Sequence, residues 1–247
     1  MPWLVMAFIL LLWEGLCRAF HVAEFILPTP SRIIATTIEY WGAIWFHASH
    51  TLLTTLIGFA LSVVFGLLLG IAVGSSRLVY QGLYPLLIGF NSIPKVAIVP
   101  VLVIWFGVGT VPAILVAFLM SFFPIAVNVA TSLSTVEPEL EDVLRSLGAG
   151  PMDLILKVGL PRSLPYFFAS LKVAITLAFV GAVISESIAS SRGIGTMMVQ
   201  AAAEFRVALV FSGLAVTAAM GIVMYMIFAA IEGHTTQWAT RKTQQEI

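Results

Sequence analysis

The sequence predicts an all-α integral membrane protein, a bundle of six transmembrane helices forming a single domain over residues 1–247. Two observations carry that expectation. Hydrophobic residues make up 60% of the chain and charged residues only 10%, against roughly 45–50% and about 25% in soluble domains. A soluble fold of this size has too little interior to hide so much apolar side chain, and the mean hydropathy of +1.05 agrees. The apolar stretches are also long: a helical span needs about 20 such residues, whereas barrel strands alternate over about 10. A net charge of zero without any basic run excludes nucleic acid as a partner. Cys17 is the single cysteine, so the chain holds no disulfide framework, and one Cys with four scattered His offers no structural metal set.

The spans are expected near 3–19, 52–74, 84–106, 112–133, 164–187 and 207–231, which leaves both termini on one side. No positive region precedes the first, and Glu14 and Arg18 follow without a small-residue cleavage site, so it reads as an uncleaved span. The prolines of Leu27-Pro28-Thr29-Pro30 then force extended backbone. Ile33 to Ser49 reads as an amphipathic helix in the membrane interface, with Trp41 and Trp45 four apart on one face. The second span carries Gly58, Ser62, Gly66, Gly70 and Gly74 at strict four-residue spacing, a stripe along which another backbone can approach closely. Spacing leaves open whether that neighbour belongs to this chain or to a second copy.

Leu78 to Gly107 is too long for one straight crossing at about 1.5 Å per residue. It contains Pro85, Pro94 and Pro100, with Asn91, Ser92 and Lys95 around the middle proline. Two readings compete: a broken helix beside a solute path, or a surface helix over 78–92 followed by an ordinary span, with Lys95 snorkelling at the boundary. Pro124 predicts a kink in the fourth span, with Asn128 one turn later either satisfying the loosened backbone or lining a path. In the fifth span, Glu186 is a carboxylate at membrane depth, which costs several kcal/mol unless it faces protein or water. It is either a gate or a structural group capping the turn at Ser190–Gly195. Lys172, nearer the other end of that span, is expected to snorkel. The candidate path residues are therefore Glu186, Asn91, Pro94, Lys95 and Asn128. No catalytic constellation is visible, and His47 and His50, three apart, make only a weak case for metal. No Gly-rich phosphate loop with Lys-Ser/Thr exists, so ATP has no site in this chain.

Charge concentrates over 137–163, EPELEDVLRSLGAGPMDLILKVGLPRS. Pro138 with Glu137, Glu139, Glu141 and Asp142 suits a helix N-terminus. Leu140, Val143, Leu144 and Leu147 then fall on one face, Gly148 and Gly150 end the helix, and Pro151 starts a second one that Pro161 stops. Such an apolar-faced hairpin either docks another protein or folds back on the bundle.

Asp142-Val143-Leu144, Gly148, Val158 and Leu160-Pro161 resemble, at matching spacing, the cytoplasmic signature of binding-protein-dependent ABC importer permeases: Glu-Ala-Ala, three residues, Gly, nine residues, Ile, one residue, Leu-Pro. The glycine and Leu-Pro match in identity; the other positions match in character, with Val143 and Leu144 larger than the family's alanines. Further motifs resemble the nitrate/sulfonate/taurine-type permeases in order over roughly residues 10–235. They are Leu27-Pro28-Thr29-Pro30, Gly58-Phe59, Ile93-Pro94-Lys95-Val96-Ala97 with Pro100, Trp105-Phe106-Gly107-Val108-Gly109, Leu147-Gly148-Ala149, Leu164-Pro165, and Glu186 with Arg192-Gly193-Ile194-Gly195.

This resemblance implies the type I ABC importer permease fold, with the hairpin seated on a cytoplasmic ATPase through Asp142, Val143, Leu144, Leu147, Gly148, Ala149, Val158, Leu160 and Pro161. It further implies a homodimer of this chain, two ATPase subunits that bind ATP and Mg2+, and an extracytoplasmic solute-binding protein. The chain itself would be non-catalytic, in the bacterial inner membrane with both termini cytoplasmic, and would pass a small nutrient: nitrate, a sulfonate such as taurine, or a similar anionic or heterocyclic solute. The basic residues lean the same way, with Arg77, Arg145, Lys157, Arg162, Arg241 and Lys242 on the hairpin side against Arg18, Arg32, Arg192 and Arg206 opposite. The rival, an ion-gradient-driven secondary transporter, would be expected to show inverted repeats or an intramembrane charge relay; no internal repeat is seen.

Overall fold

In a medium without water, a long apolar segment can satisfy its backbone only as helix or closed barrel. Helix is what the computed structural model contains over the residues it describes, 2–135, 143–144, 146–150, 153, 157 and 159–235. In chain order these are α1 (Pro2–Ala19), α2 (Pro30–Glu39), α3 (Trp41–Gly74), α4 (Arg77–Asn91), α5 (Val99–Phe106), α6 (Thr110–Ser134), α7 (Leu160–Ala189), α8 (Ile194–Ala203) and α9 (Val207–Thr235). Among the described residues α3, α6, α7 and α9 are long and apolar enough to cross a membrane, and α4 with α5 makes a fifth crossing if that bent pair is one span. The first of the six expected spans corresponds to α1, 18 residues long and outside that count.

Two expected boundaries are drawn differently. The span at 84–106 is interrupted, because Pro94 lacks an N–H and its ring disfavours helix in the residue before it. Helix α4 ends at Asn91, and after a short turn at Lys95–Ile98 the chain continues at 74° to its former direction. The amphipathic helix over 33–49 is divided at Tyr40. Its first part is α2, where Thr29 Oγ1 accepts from the Arg32 N–H at 3.3 Å and Pro30 takes the first turn. Its second part is continuous with the second span, giving one helix of 34 residues. Trp41 and Trp45 share a face there, with ring centroids 6.1 Å apart.

Helices α3, α6 and α7 form the centre. The small-residue stripe of α3 lies on α6 of the same chain. A Cβ on Gly58 would fall 2.6 Å from Ala117 Cβ, one on Gly66 2.9 Å from Ile125 Cβ, one on Gly70 2.7 Å from Val129 Cβ, and one on Gly74 2.7 Å from the Ala130 carbonyl oxygen. Ser62, in the same register, places its Oγ 2.5 Å from Ser121 Oγ. On the next face α7 packs with Ala174, Ala178 and Ala182, all fully buried, and Gly181 sits where a Cβ would come 3.1 Å from the Val116 carbonyl oxygen. Lipid gives no hydrophobic drive between helices, so close shape fit and dispersion hold them.

Helix α6 passes through Pro124 unbroken. Asn128 Nδ2 donates to the Pro124 carbonyl at 2.8 Å, one turn beyond the carbonyl that the missing proline N–H frees. Lys172 forms an ion pair with Glu232, three residues before the end of α9, both side chains mostly buried. With Gly74 against Ala130 and Leu133 and Lys172 against Glu232, one end of the bundle gathers the ends of α3, α6 and α9 and the start of α7. The other end gathers the start of α3, the end of α7, α8 and the start of α9, with α1 joined to α2 through the Ser31 N–H to Glu14 Oε2 at 3.0 Å.

Two glycine substitutions separate contact from propensity. Gly70→Ala is expected to lower stability by about 1–3 kcal/mol through overpacking. Gly82→Ala, with nothing within 4 Å of the added Cβ, is expected to be neutral or stabilising by about 0.5–1 kcal/mol. Thermal unfolding of the two variants in detergent measures both.

Candidate functional site

Helix α7 runs from the hairpin end to Glu186 at the far end, where the carboxyl side chain is only 1% exposed. Both oxygens are taken by protein donors. Oε2 accepts from Thr51 Oγ1 at 2.7 Å and from the Gly195 N–H at 3.5 Å, and Oε1 accepts from Thr54 Oγ1 at 3.2 Å. Thr51 Oγ1 also accepts from the Ile194 N–H at 2.8 Å, and the Gly193 N–H donates to His47 Nδ1 at 3.2 Å. Those N–H groups are among the free donors at the start of α8, so α3 and α7 together cap a helix that follows them in the chain. His50 Nδ1 stands 3.7 Å from Oε1, an ion pair only when the imidazole is protonated, and makes no hydrogen bond. Thr196 Oγ1 donates to the Glu186 carbonyl oxygen at 2.9 Å, satisfying one of the last carbonyls of α7.

The backbone is shaped around the carboxylate. Gly193 has φ +118, and a Cβ there would lie 2.1 Å from Glu186 Cδ. At Gly195 a Cβ would meet the Val183 carbonyl oxygen at 2.3 Å. Chemically the arrangement is a buried carboxylate fastening α3, α7 and α8. His47 and His50 are drawn into it, and among the described residues no group of three or more metal-ligating side chains comes together.

The expected path residues fall in three places. Lys95 Nζ donates to the side-chain and backbone carbonyls of Asn91 across the helix break at Pro94, while Asn128 is turned to its own helix. None of these partners Glu186 in the hydrogen bonds described above. Thr51 and Thr54 are not among the residues expected from the sequence, and His47 is expected there only as a weak metal candidate. A signal existed: the four-residue stripe continues upstream through Thr54 to His50, and since four residues advance a helix by about 40°, its upper end turns from α6 toward α7.

The second constellation is the hairpin. Asp142 and Val158 lie outside the described residues. Gly148 has φ +86, and the Ala149 N–H donates to the Leu144 carbonyl at 3.0 Å, a helix end of the Schellman kind. Nothing stands within 4 Å of where a Cβ would be, so backbone conformation rather than packing calls for glycine. Beyond the turn the Gly150 N–H donates to Asp153 Oδ2 at 3.2 Å, as in half of a capping box. Lys157 Nζ lies 2.7 Å from Asp153 Oδ1. The lysine's hydrogen bond, with that N–H, holds the Asp153 carboxyl below the usual carboxylate range. Val143 and Leu147 are 56% and 77% exposed, so these two apolar residues point outward instead of onto the bundle. Leu160 and Pro161 open α7. Pro161, expected to stop a second helix that lies mostly outside the described residues, stands in the first turn of α7, where its missing N–H costs nothing.

Residues 62–237 match the family described as "Binding-protein-dependent transport system inner membrane component". The chain belongs to that family. It is 30% identical over 244 residues to the formylaminopyrimidine transport permease protein ThiX of Halalkalibacterium halodurans, covering 98% of this chain and 96% of the relative. To the taurine transport system permease protein TauC of Escherichia coli it is 28% identical over 241 residues, covering 94% and 87%. The fold is similar to a chain of the inward-facing MetNI methionine ABC transporter, with a TM-score of 0.60 at 18% identity over 79% of this chain and 95% of that one. The chain is thus a multi-pass membrane component of the ABC importer type, and the ion-gradient-driven alternative falls away.

Gly193→Ala is expected to cost roughly 2–4 kcal/mol, from strain at a left-handed position plus collision with the carboxylate. Glu186→Gln keeps the volume but sets an amide N–H against a donor, at about 1–3 kcal/mol. In both, detergent unfolding temperatures should drop and uptake should fall. Parent-level stability and uptake in Glu186→Gln would remove the carboxylate from either role.

Proposed function

We propose that two copies of this permease form the translocation path of an ATP-driven importer, each copy engaging one cytoplasmic ATPase through the hairpin at 137–163. ATP and Mg2+ are held by the ATPases, a solute-binding protein delivers cargo on the opposite side, and this chain performs no catalysis. The observation that carries the reading is the hairpin turn itself: Gly148 in the left-handed region with Val143 and Leu147 exposed beside it. An apolar helix face held off the membrane domain by a rigid turn suits the groove of a partner. The charge distribution supports cytoplasmic termini and hairpin, with six basic residues against four on the other side.

In the proposed cycle, closure of the ATPase dimer draws the hairpins together and the bundles rock from inward-facing to outward-facing as rigid bodies. Glu186, Asn91, Pro94, Lys95 and Asn128 remain the proposed path or gate residues. Of these Asn91 and Pro94 are exposed and free to face a second copy, whereas Glu186 acts through the fastening of α3, α7 and α8. The cargo is a small solute, an anion such as nitrate or a sulfonate, or a nitrogen heterocycle. The substrates named for TauC and ThiX support that range.

Affinity purification in mild detergent tests the assembly. The parent should bring an ABC ATPase with it. Gly148→Val should lose it, because a β-branched residue at φ +86 is forced out of the turn, while the unfolding temperature of the membrane domain stays put. Gly148→Asn, which tolerates that conformation, should retain it. ATPase recovery from Gly148→Val at the parent level would sink the role assigned to the hairpin, and a parent free of ATPase in several detergents would sink the assembly.

A further inference from the structure

The end of the bundle opposite the hairpin carries an open cavity of about 370 Å³ between α2 and the start of α9. Phe25 and Phe205 stand on it as exposed aromatics, and Arg32, Arg206, Glu24 and Glu39 supply charges of both signs. The charges are already paired: Arg32 Nε lies 3.4 Å from Glu24 Oε2, and Arg206 Nε lies 3.0 Å from Glu204 Oε2, all four side chains exposed.

Phe205 is the unusual member. Its φ is +58, in the region where a bulky residue is strained. The Arg206 N–H donates to the Ala201 carbonyl at 2.8 Å, so α8 ends as the hairpin helix does at Gly148, with phenylalanine in the place that suits glycine. The ring gains no burial in exchange, being 80% exposed. A strained turn that holds an aromatic ring out beside a cavity is a presentation device.

We propose that this cradle is the docking site for the importer's solute-binding protein, with an apolar side chain of that protein seated between Phe25 and Phe205 and its rim charges exchanging with the two Arg–Glu pairs. The inference rests on the importer reading above, which sets this end of the bundle on the side from which cargo arrives. Exposed aromatics and arginines beside a pocket are the composition of interface anchors. Exposed ion pairs are worth little each, so exchanging them costs little and the carrier can leave again. Three carboxylates, Glu24, Glu39 and Glu204, argue against an anionic lipid surface as the occupant.

Phe205→Gly makes a clean test, since glycine relieves the turn while removing the ring. With the permease–ATPase complex in lipid nanodiscs and the purified solute-binding protein of the same system as probe, the variant should bind roughly tenfold more weakly or worse. Binding-protein-stimulated ATP hydrolysis should fall at sub-saturating probe. Unfolding temperature, ATPase co-purification and basal hydrolysis should hold or improve. Phe205→Tyr should restore affinity, and the parent's affinity should weaken with added salt. Parent-level affinity in Phe205→Gly overturns the docking site. A parent complex that ignores the binding protein overturns the importer reading itself.

Discussion

The approach of α3 to α6 sets the terms for everything else. At Gly58, Gly66, Gly70 and Gly74 the facing atoms stand within 3 Å of where a Cβ would be, so the two backbones meet over most of the membrane depth. Lipid tails are as apolar as leucine, and only such contact holds helices together there. Once α3 and α6 are joined, α7 can pack on the remaining faces with its alanines. The core that results has Ile125, Ala174, Ile175 and Ala178 fully buried. Polar groups between these helices are pressed to find protein partners, although Thr55 Oγ1 and Ser185 Oγ are buried without one. Ser62 with Ser121 is a consequence of that constraint.

Glu186 is the most demanding case. A carboxylate so deeply placed is tolerated because donors converge on it from α3 and from the start of α8, where uncapped N–H groups need an acceptor anyway. One cost offsets another: the unsatisfied helix start and the buried acid are each unfavourable alone and compatible together. The same logic explains why Gly193 and Gly195 flank Ile194. The backbone must come close enough to donate, and any side chain at those two positions would stand in the way.

Much of this was legible in the sequence because it is local. Helix lengths, the break at Pro94, the turn at Gly148 and the stripe of α3 follow from residue type and spacing within one or two turns. What spacing cannot carry is the identity of a distant neighbour. Glu186 and Thr51 are 135 positions apart, and a threonine in an apolar helix looks like any small residue until its partner is known. Lys172 likewise finds its carboxylate on another helix, at Glu232. Pro161 alone does not say which helix it serves, because a proline ends one helix and begins the next with equal ease. The stripe shows its own limit, for it announces close contact without saying with what.

The ends of the molecule differ in kind from its middle, and that difference suits a machine driven from one side. Helix α7 begins at Leu160, where the hairpin returns to the membrane, and runs unbroken for 30 residues, about 45 Å at 1.5 Å per residue. Close to its other end is Glu186, locked to α3 and α8. In the proposed cycle, a displacement entering at the hairpin is poorly absorbed along α7. The helix is packed on both α3 and α6, and interiors so tightly filled shift as units instead of deforming. On that proposal the far end moves with it, carrying α8 and the turn that displays Phe205. Had Pro165 or Pro124 broken its helix, such motion could have dissipated at a hinge. Both helices run through their prolines, and the break the sequence does make, at Pro94, lies between α4 and α5, outside the central contact of α3, α6 and α7. The sharp bend is thus placed beside the core and kept out of the line that joins its two ends.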